Sequence, residues 1–222
     1  MHRDVNDPPA AMAIIRPASV SDLAQIHSIN CHYILHTSLT FAQNPPPLAT
    51  YRDTFDLVQA RGLPYLVAVD EGQRFEDGEM LVVGYTYLSP YRGERLSYAP
   101  TVELSLFVHP AYQSRAIGSR LLSALLEKFH RGELRNNAFE ITGDDEQARQ
   151  VYAASNDGGD GVPVQNVLAV MAVDPEGKDG GEALRRWYIK RGFMERGRLM
   201  KVGRKWNRWV DTIVLQYSTI AD

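Results

Sequence analysis

In the stretch TVELSLFV (101–108), Val102, Leu104, Leu106 and Val108 fall on one side and Glu103, Ser105 and Phe107 on the other, the two-residue period of a strand. Directly after it the period changes. From about Ala116 to His130 the apolar positions Ile117, Leu121, Leu122, Leu125, Leu126 and Phe129 recur every three or four residues, which predicts an amphipathic helix. Further strands are expected at MAIIRPA (12–18), PYLVAVD (64–70), MLVVGYTYLSP (80–90), VQNVLAVMAV (164–173), FMERGRLMKVG (193–203) and WVDTIVLQYS (209–218). Helices are expected in SVSDLAQIHSINCHYILH, with Ser21 as N-cap, in TYRDTFDLVQARG, ended by Gly62, and in EALRRWYIKRGF, stopped by Gly192 in a left-handed cap. Pro45–Pro47 keep TSLTFAQNPPP a loop, and the charged GQRFEDGE enlarges a hairpin.

Strands and helices mixed in this order, with no linker between two cores, predict one α/β domain over 12–222, behind a frayed extension at 1–11. Residues 131–165 break the pattern. They are polar, carry GDDEQ and NDGGDG, and are expected to be an insertion, partly helical or disordered. The formal net charge of −3 offers no global basic field for a nucleic-acid backbone, so any anion site must be local. The N-terminus lacks the apolar core of a secretory signal, and no run is long enough to span a bilayer. A soluble, cytoplasmic protein without membrane or nucleic-acid partners is expected. The one cysteine, Cys31, excludes an intramolecular disulfide framework and lacks an activating neighbourhood.

The junction of strand and helix, VHPAYQSRAIGSRLL, is where chemistry enters. A helix N-terminus presents unpaired N–H groups and a partial positive charge, and Arg115 and Arg120 stand beside it. Taken alone, one glycine and two arginines in such a turn describe an ordinary, solvated connection as well as a phosphate cradle.

The neighbouring residues resemble the GCN5-related N-acetyltransferases, whose acetyl-CoA loop follows Q/R-x-x-G-x-G/A. Gln113-Ser114-Arg115-Ala116-Ile117-Gly118 matches it, with Ala116 in place of the first glycine. Such an alanine is tolerated with helical φ and strained by roughly 1 kcal/mol or more if left-handed. Within the superfamily the chain resembles the phosphinothricin and methionine sulfoximine acetyltransferase branch. The resemblance is carried by Asn30 to Phe41, which approaches N-x-x-I-x-x-T-x-x-T-F with one extra residue, by TVE at 101–103, and by Gly203, Lys205, Trp209 and Asp211 of a G-x-K-x-x-x-W-x-D run. It covers most of 13–217 but not 131–165.

The resemblance implies an acyl-CoA N-acyltransferase fold, α/β with a mostly antiparallel twisted sheet flanked by helices, and often a homodimer. It implies acetyl-CoA as co-substrate, a small-molecule amine as acceptor and no metal. Leu106, Phe107 and Val108 would offer backbone groups to the pantetheine arm, and Ser114, Arg115, Ala116, Ile117, Gly118 and Ser119, after Gln113, would hold the pyrophosphate. Glu103 matches the family's base, although a strand carboxylate is ordinarily just solvated. Tyr188 stands where this branch has a histidine and many relatives a tyrosine acting as general acid; packing at a helix surface is the alternative. Gly181 replaces the asparagine that opens the last helix. Arg95, with Arg92 beside it, would take an anionic substrate group through its guanidinium fork, and Thr37, Phe41 and Tyr98 would line the pocket. His32 and His36 have an i, i+4 spacing that can hold zinc, but no third ligand stands in a recognisable pattern.

The expected activity is direct acetyl transfer to the α-amine of a small amino-acid-like substrate. Two rivals remain: the same fold acting on a polyamine, an aminoglycoside or a protein N-terminus, and a non-catalytic acyl-CoA-binding module.

Overall fold

The structure is a computed structural model that describes residues 13–75, 78–93, 95–142, 147–150 and 161–220. The extension expected at 1–11 lies outside the described residues. In chain order the elements are β1 (Ile14–Pro17), α1 (Leu23–His36), α2 (Leu48–Ala60), β2 (Tyr65–Arg74), β3 (Met80–Pro90), β4 (Thr101–Val108), α3 (Ile117–His130), β5 (Arg135–Asn136), β6 (Phe139–Thr142), β7 (Gln147–Gln150), β8 (Val162–Pro163), β9 (Asn166–Ala172), α4 (Glu182–Ile189), β10 (Met194–Lys205) and β11 (Arg208–Ser218). Among the described residues the main sheet has seven strands in the order β1-β2-β3-β4-β9-β11-β10. Its neighbours are antiparallel except β4 and β9, which run parallel.

The strand period sorts the helices onto two faces. Phe107 stacks against Tyr33 of α1 and against Tyr85, and Tyr65 packs on Phe55 of α2, so α1 and α2 cover the face that carries Glu103 and Ser105. The other face receives α3. Its apolar stripe buries Leu121, Leu122 and Leu125 completely, and Ile117 and Leu121 pack with Leu66, Ala68 and Val83. A Cβ on Gly84 would lie 3.0–3.2 Å from Phe107 O, Ile117 and Leu121, so glycine there lets α3 settle onto β3. Helix α4 joins this face through Phe193 and Tyr217, which also meets Phe129 of α3.

Three local expectations are corrected. Ser21 does not cap α1. Ser19 opens a 3-10 turn over Val20–Asp22, and the Asp22 carboxylate accepts from Ser19 N at 2.7 Å and from the Arg16 guanidinium at 2.7 Å through each of its oxygens. An acid three residues after a serine closes a capping box, which moves the start of the helix. Helix α2 begins at Leu48, two residues before the expected start, directly after Pro47, which stands as its N-cap with an extended ψ of 154°. The described part of 131–165 is built of strands where helix or disorder was expected. β5 pairs with β8, and β6 with β7 in the register Phe139↔Gln150 to Thr142↔Gln147. Backbone pairing between short polar strands needs little apolar periodicity, which is why the composition hid it; residues 143–146 and 151–160 of the expected insertion lie outside the described residues.

Candidate active site

The site begins where the sheet comes apart. β4 and β9 are joined through Thr101↔Asn166, Val102↔Val167 and Glu103↔Leu168. On their outer sides β4 stays paired with β3 as far as Val108, and β9 with β11 as far as Ala172. Beyond Glu103 and Leu168 the two inner edges therefore diverge, with no strand pairing between them among the described residues. Leu106, Phe107 and Val108 lie on this edge, whose N–H and C=O groups turned toward β9 have no strand pairing among the described residues and, Val108 O apart, can take an extended ligand as a strand would.

The mouth of the split carries the turn into α3. Ser114 has φ 62° and Ala116 φ 59° and ψ 8°, both left-handed. Ala116 thus adopts the conformation for which the resembled loop uses glycine, the strained branch of the sequence expectation. Gly118 is helical, and a methyl built on it would touch Leu106, Val108 and Trp187 at 3.5–3.8 Å, ordinary contact distances. Packing within the chain does not require this glycine, although it costs helix propensity in the first turn. Close approach of a ligand to the backbone would. Arg115 lies over the Tyr112 ring at 4.8 Å. Gln113 turns to the fold instead: its Nε2 donates to Tyr33 Oη at 3.1 Å, and Tyr33 Oη donates to Val108 O at 2.6 Å. Ile117 is core. Left-handed backbone, α3 amides, and Arg115 and Arg120 without a carboxylate partner among the described residues fit a phosphate-bearing ligand such as acetyl-CoA.

Glu103 stands at the split on one face of the sheet, and Tyr188 belongs to α4 on the other. Glu103 is half-buried on the last rung that joins β4 to β9, and burial pushes its carboxyl above the usual range. Tyr87, in register with Ser105, has its hydroxyl raised by burial and by the charge of Glu103. Tyr188 is buried between Trp187 and Phe193, at ring-centroid distances of 4.9 and 5.1 Å. Among the described residues its hydroxyl makes no hydrogen bond, and burial holds it protonated. At the start of α4, Gly181 has φ 88° and a built Cβ 2.7 Å from Asp174 O, so the asparagine of the resembled helix cannot stand there without displacing the backbone.

The expected substrate residues fall into two groups. Arg95 caps the 3-10 turn Leu96–Tyr98 that leads into β4, and is exposed; Tyr98 meets Tyr91 edge-on at 5.3 Å, with Arg92 over the Tyr91 ring at 5.4 Å. Thr37 and Phe41 sit on the loop after α1. Thr37 Oγ1 donates to Tyr33 O at 2.8 Å and accepts from Leu39 N at 3.2 Å, so it serves as a cap. Phe41 lies against Gly203 of β10. That loop is tied to the β10–β11 hairpin by Lys205 Nζ to Thr40 O at 2.7 Å and Gln43 Nε2 to Arg204 O at 2.8 Å. No hydrogen bond among the described residues joins the two groups. His32 and His36 have ring centroids 5.0 Å apart, and no group of three or more metal-ligating side chains occurs among the described residues.

Sequence reading missed Arg191 and Trp187. Arg191 Nη2 donates to Ser119 Oγ at 2.5 Å and Nη1 to Trp187 O at 2.9 Å, with the guanidinium 3.9 Å from the Trp187 ring centroid. Nothing in R-R-W-Y-I-K-R-G-F distinguishes this arginine from its solvated neighbours; the closeness of α3 and α4 does.

A split sheet with a phosphate-compatible helix start at its mouth is an acyl-CoA-binding arrangement. The chain belongs to the Acetyltransferase (GNAT) family, whose model matches residues 30–156. It is 26% identical over 202 residues to the phosphinothricin N-acetyltransferase of Alcaligenes faecalis, covering 91% of this chain and 80% of the relative. It is 25% identical over 202 residues to the L-methionine sulfoximine/L-methionine sulfone acetyltransferase of Salmonella typhimurium, covering 91% and 92%. The crystal structure of a GNAT superfamily phosphinothricin acetyltransferase from Sinorhizobium meliloti, in complex with AcCoA, superposes with a TM-score of 0.68 at 25% identity, over 93% of this chain and 88% of that one. The protein is an acetyl-CoA-dependent acetyltransferase of this family. Among the described residues no helix is long and apolar enough to cross a membrane.

Proposed function

We propose that the chain acetylates the α-amine of a small amino-acid-like substrate of the phosphinothricin or methionine sulfoximine type, by direct transfer in a ternary complex. The observation that carries this reading is Glu103, half-buried at the apex of the β4–β9 split with its carboxyl raised by burial. An α-amino group has a pKa of about 8, so a base of modest strength suffices to keep the attacking nitrogen neutral. Acetyl-CoA, when bound, supplies the acetyl group as a thioester. Its pyrophosphate is assigned to the α3 turn, chiefly Ser114 to Ser119, and its pantetheine arm to the free edge at Leu106, Phe107 and Val108. Tyr188, whose hydroxyl is kept protonated by burial of the residue, would give its proton to a departing thiolate from the α3–α4 face. Arg95 would take the acceptor's anionic group and Tyr98 its apolar part; Thr37 contributes by shaping the loop that carries Phe41.

The acceptor class is supported by the names of the relatives together with Arg95, exposed on the 3-10 turn that leads into β4, the strand of Glu103. A homodimer is also proposed. On the sheet-edge strand β10, Leu199, Met200 and Val202 are exposed, an apolar row that a second copy would cover. The test is CoA-thiol release over a panel of phosphinothricin, methionine sulfoximine, methionine sulfone, polyamines and short peptides, with sedimentation for the dimer. Release on the first three supports the reading. Release on polyamines or peptides alone overturns the substrate class, and acetyl-CoA binding without release on any amine points to a non-catalytic module.

A further inference from the structure

Several arginines of the chain hold a carboxylate, among them Arg16 with Asp22, Arg52 with Asp56, Arg185 with Glu195, Arg198 with Asp211 and Arg208 with Glu176. The arginines around the start of α3 do not. Arg115, Arg120 and Arg191 have no carboxylate partner among the described residues. The case of Arg191 is the least expected, because it comes from another element. It follows α4 in sequence, is partly buried, and lays its guanidinium across to the first turn of α3. There Nη2 meets Ser119 Oγ at 2.5 Å, and the Trp187 ring supports it from below at 3.9 Å.

A cation in this position is electrostatically misplaced in the free protein. The N-terminal turn of a helix carries a partial positive charge, and burial already disfavours the charged guanidinium. A bidentate fork held rigid by a ring and a backbone carbonyl, with a donor pointing at a helix start, is suited to an anion that arrives with the ligand. Trp187 also lies 3.8 Å from the Cβ position of Gly118, as Leu106 and Val108 lie 3.5 Å from it, so the two side chains stand beside the first turn of α3 and the end of β4.

We propose that Arg191 binds a phosphate group of the cofactor, with Trp187 as the platform that holds its guanidinium in place. This rests on the acyl-CoA reading above and adds a contact from the end of α4 that neither the α3 loop pattern nor the relatives' names assign. Both the pyrophosphate and the 3′-phosphate of acetyl-CoA have the required chemistry.

The experiment measures acetyl-CoA binding to the full chain by calorimetry, alongside 3′-dephospho-acetyl-CoA and S-acetyl-pantetheine, which has neither the pyrophosphate nor the 3′-phosphate. For the weak pantetheine thioester, kcat/KM replaces the binding constant. Arg191→Leu is expected to weaken acetyl-CoA by roughly tenfold or more while leaving S-acetyl-pantetheine unchanged, and Arg191→Lys is expected to recover part of the loss. If the deficit persists with the 3′-dephospho compound the contact is with the pyrophosphate; if it vanishes the contact is with the 3′-phosphate, and either result supports the proposal. Thermal melts check folding. Should the leucine variant not fold, Arg191→Gln, which keeps hydrogen bonding without charge, carries the same comparison. Unchanged acetyl-CoA affinity, or an equal loss on S-acetyl-pantetheine, overturns the role of Arg191. Failure of the wild-type chain to bind acetyl-CoA at all overturns the acyl-CoA reading beneath it.

Discussion

Ala116 offers a prediction in which strain and propensity have opposite signs. Its φ of 59° and ψ of 8° place an L-residue in the left-handed region, which costs about 1–2 kcal/mol relative to the right-handed one. Glycine removes that cost but gives back about 0.5–1 kcal/mol through the greater freedom of the unfolded chain. Ala116→Gly is therefore expected to stabilise the protein by about 0.5–1 kcal/mol. For a chain of this size that raises Tm by about 1–4 °C. Ala124 supplies the control, since it lies in the middle of α3 with helical backbone, and Ala124→Gly should cost about 1 kcal/mol. Urea denaturation of both variants, read as the midpoint at constant m, separates the cases. Loss of stability in Ala116→Gly matching that in Ala124→Gly would refute the left-handed assignment and the strain argument with it. The same substitution removes the methyl at the mouth of the split, so acetyl-CoA affinity should stay equal or rise.

Three further outcomes are expected. Glu103→Gln should lower kcat by a factor on the order of 10²–10⁴ with acetyl-CoA affinity retained. Because the folded-state pKa of Glu103 lies above 4.5, the native state holds this proton more firmly than the unfolded chain; the group therefore costs stability above that pH, and the variant should gain relative to wild type at pH 7, with the gain gone below pH 4.5. Wild-type turnover should fall on acidification through that raised pKa. Tyr188→Phe keeps the buried ring and removes a hydroxyl that makes no hydrogen bond among the described residues, so urea unfolding should show stability changed by less than about 1 kcal/mol while turnover falls about a hundredfold or more; undiminished turnover would make Tyr188 a packing residue. Gly203→Ala would drive a methyl into the Phe41 ring, an exposed side chain that can swing aside, so stability should change by less than about 1 kcal/mol while acceptor KM rises and acetyl-CoA affinity holds.

What could be read from the chain, and what could not, divides by the range of the forces involved. β4 and α3 were legible almost to the residue because each has a single buried face and therefore a clean period. The polar segment after α3 was misread because β6 and β7 pair through backbone hydrogen bonds, which leave no hydrophobic signature. Ser21 and Ser19 are both competent caps, and the choice falls to Ser19 because Asp22 accepts from its backbone and hydroxyl while Arg16, from β1, holds the same carboxylate in place. At the site, Glu103 was visible through its motif, but its place on the last shared rung depends on β9, which lies far along the chain. Gln113 matched the loop pattern and yet spends its amide on Tyr33, a residue 80 positions away. Arg191 was invisible for the same reason.

The split itself shows why motif and tertiary placement must be read together. A sheet gains by closing, since each unpaired N–H or C=O left away from water costs about as much as a lost hydrogen bond. β4 and β9 nevertheless part after Glu103, each held along its outer side by an antiparallel neighbour. The helices on the two faces then have different work. Tyr33 of α1 pins Val108 O at the far end of β4, while α3 and α4 approach each other closely enough for Arg191 to reach Ser119. Glu103 reports on the first face and Tyr188 on the second. Were Glu103 to accept a proton and Tyr188 to donate one, as proposed, the two would act from opposite faces of the sheet and need never compete for the same group, with the parting of β4 and β9 between them.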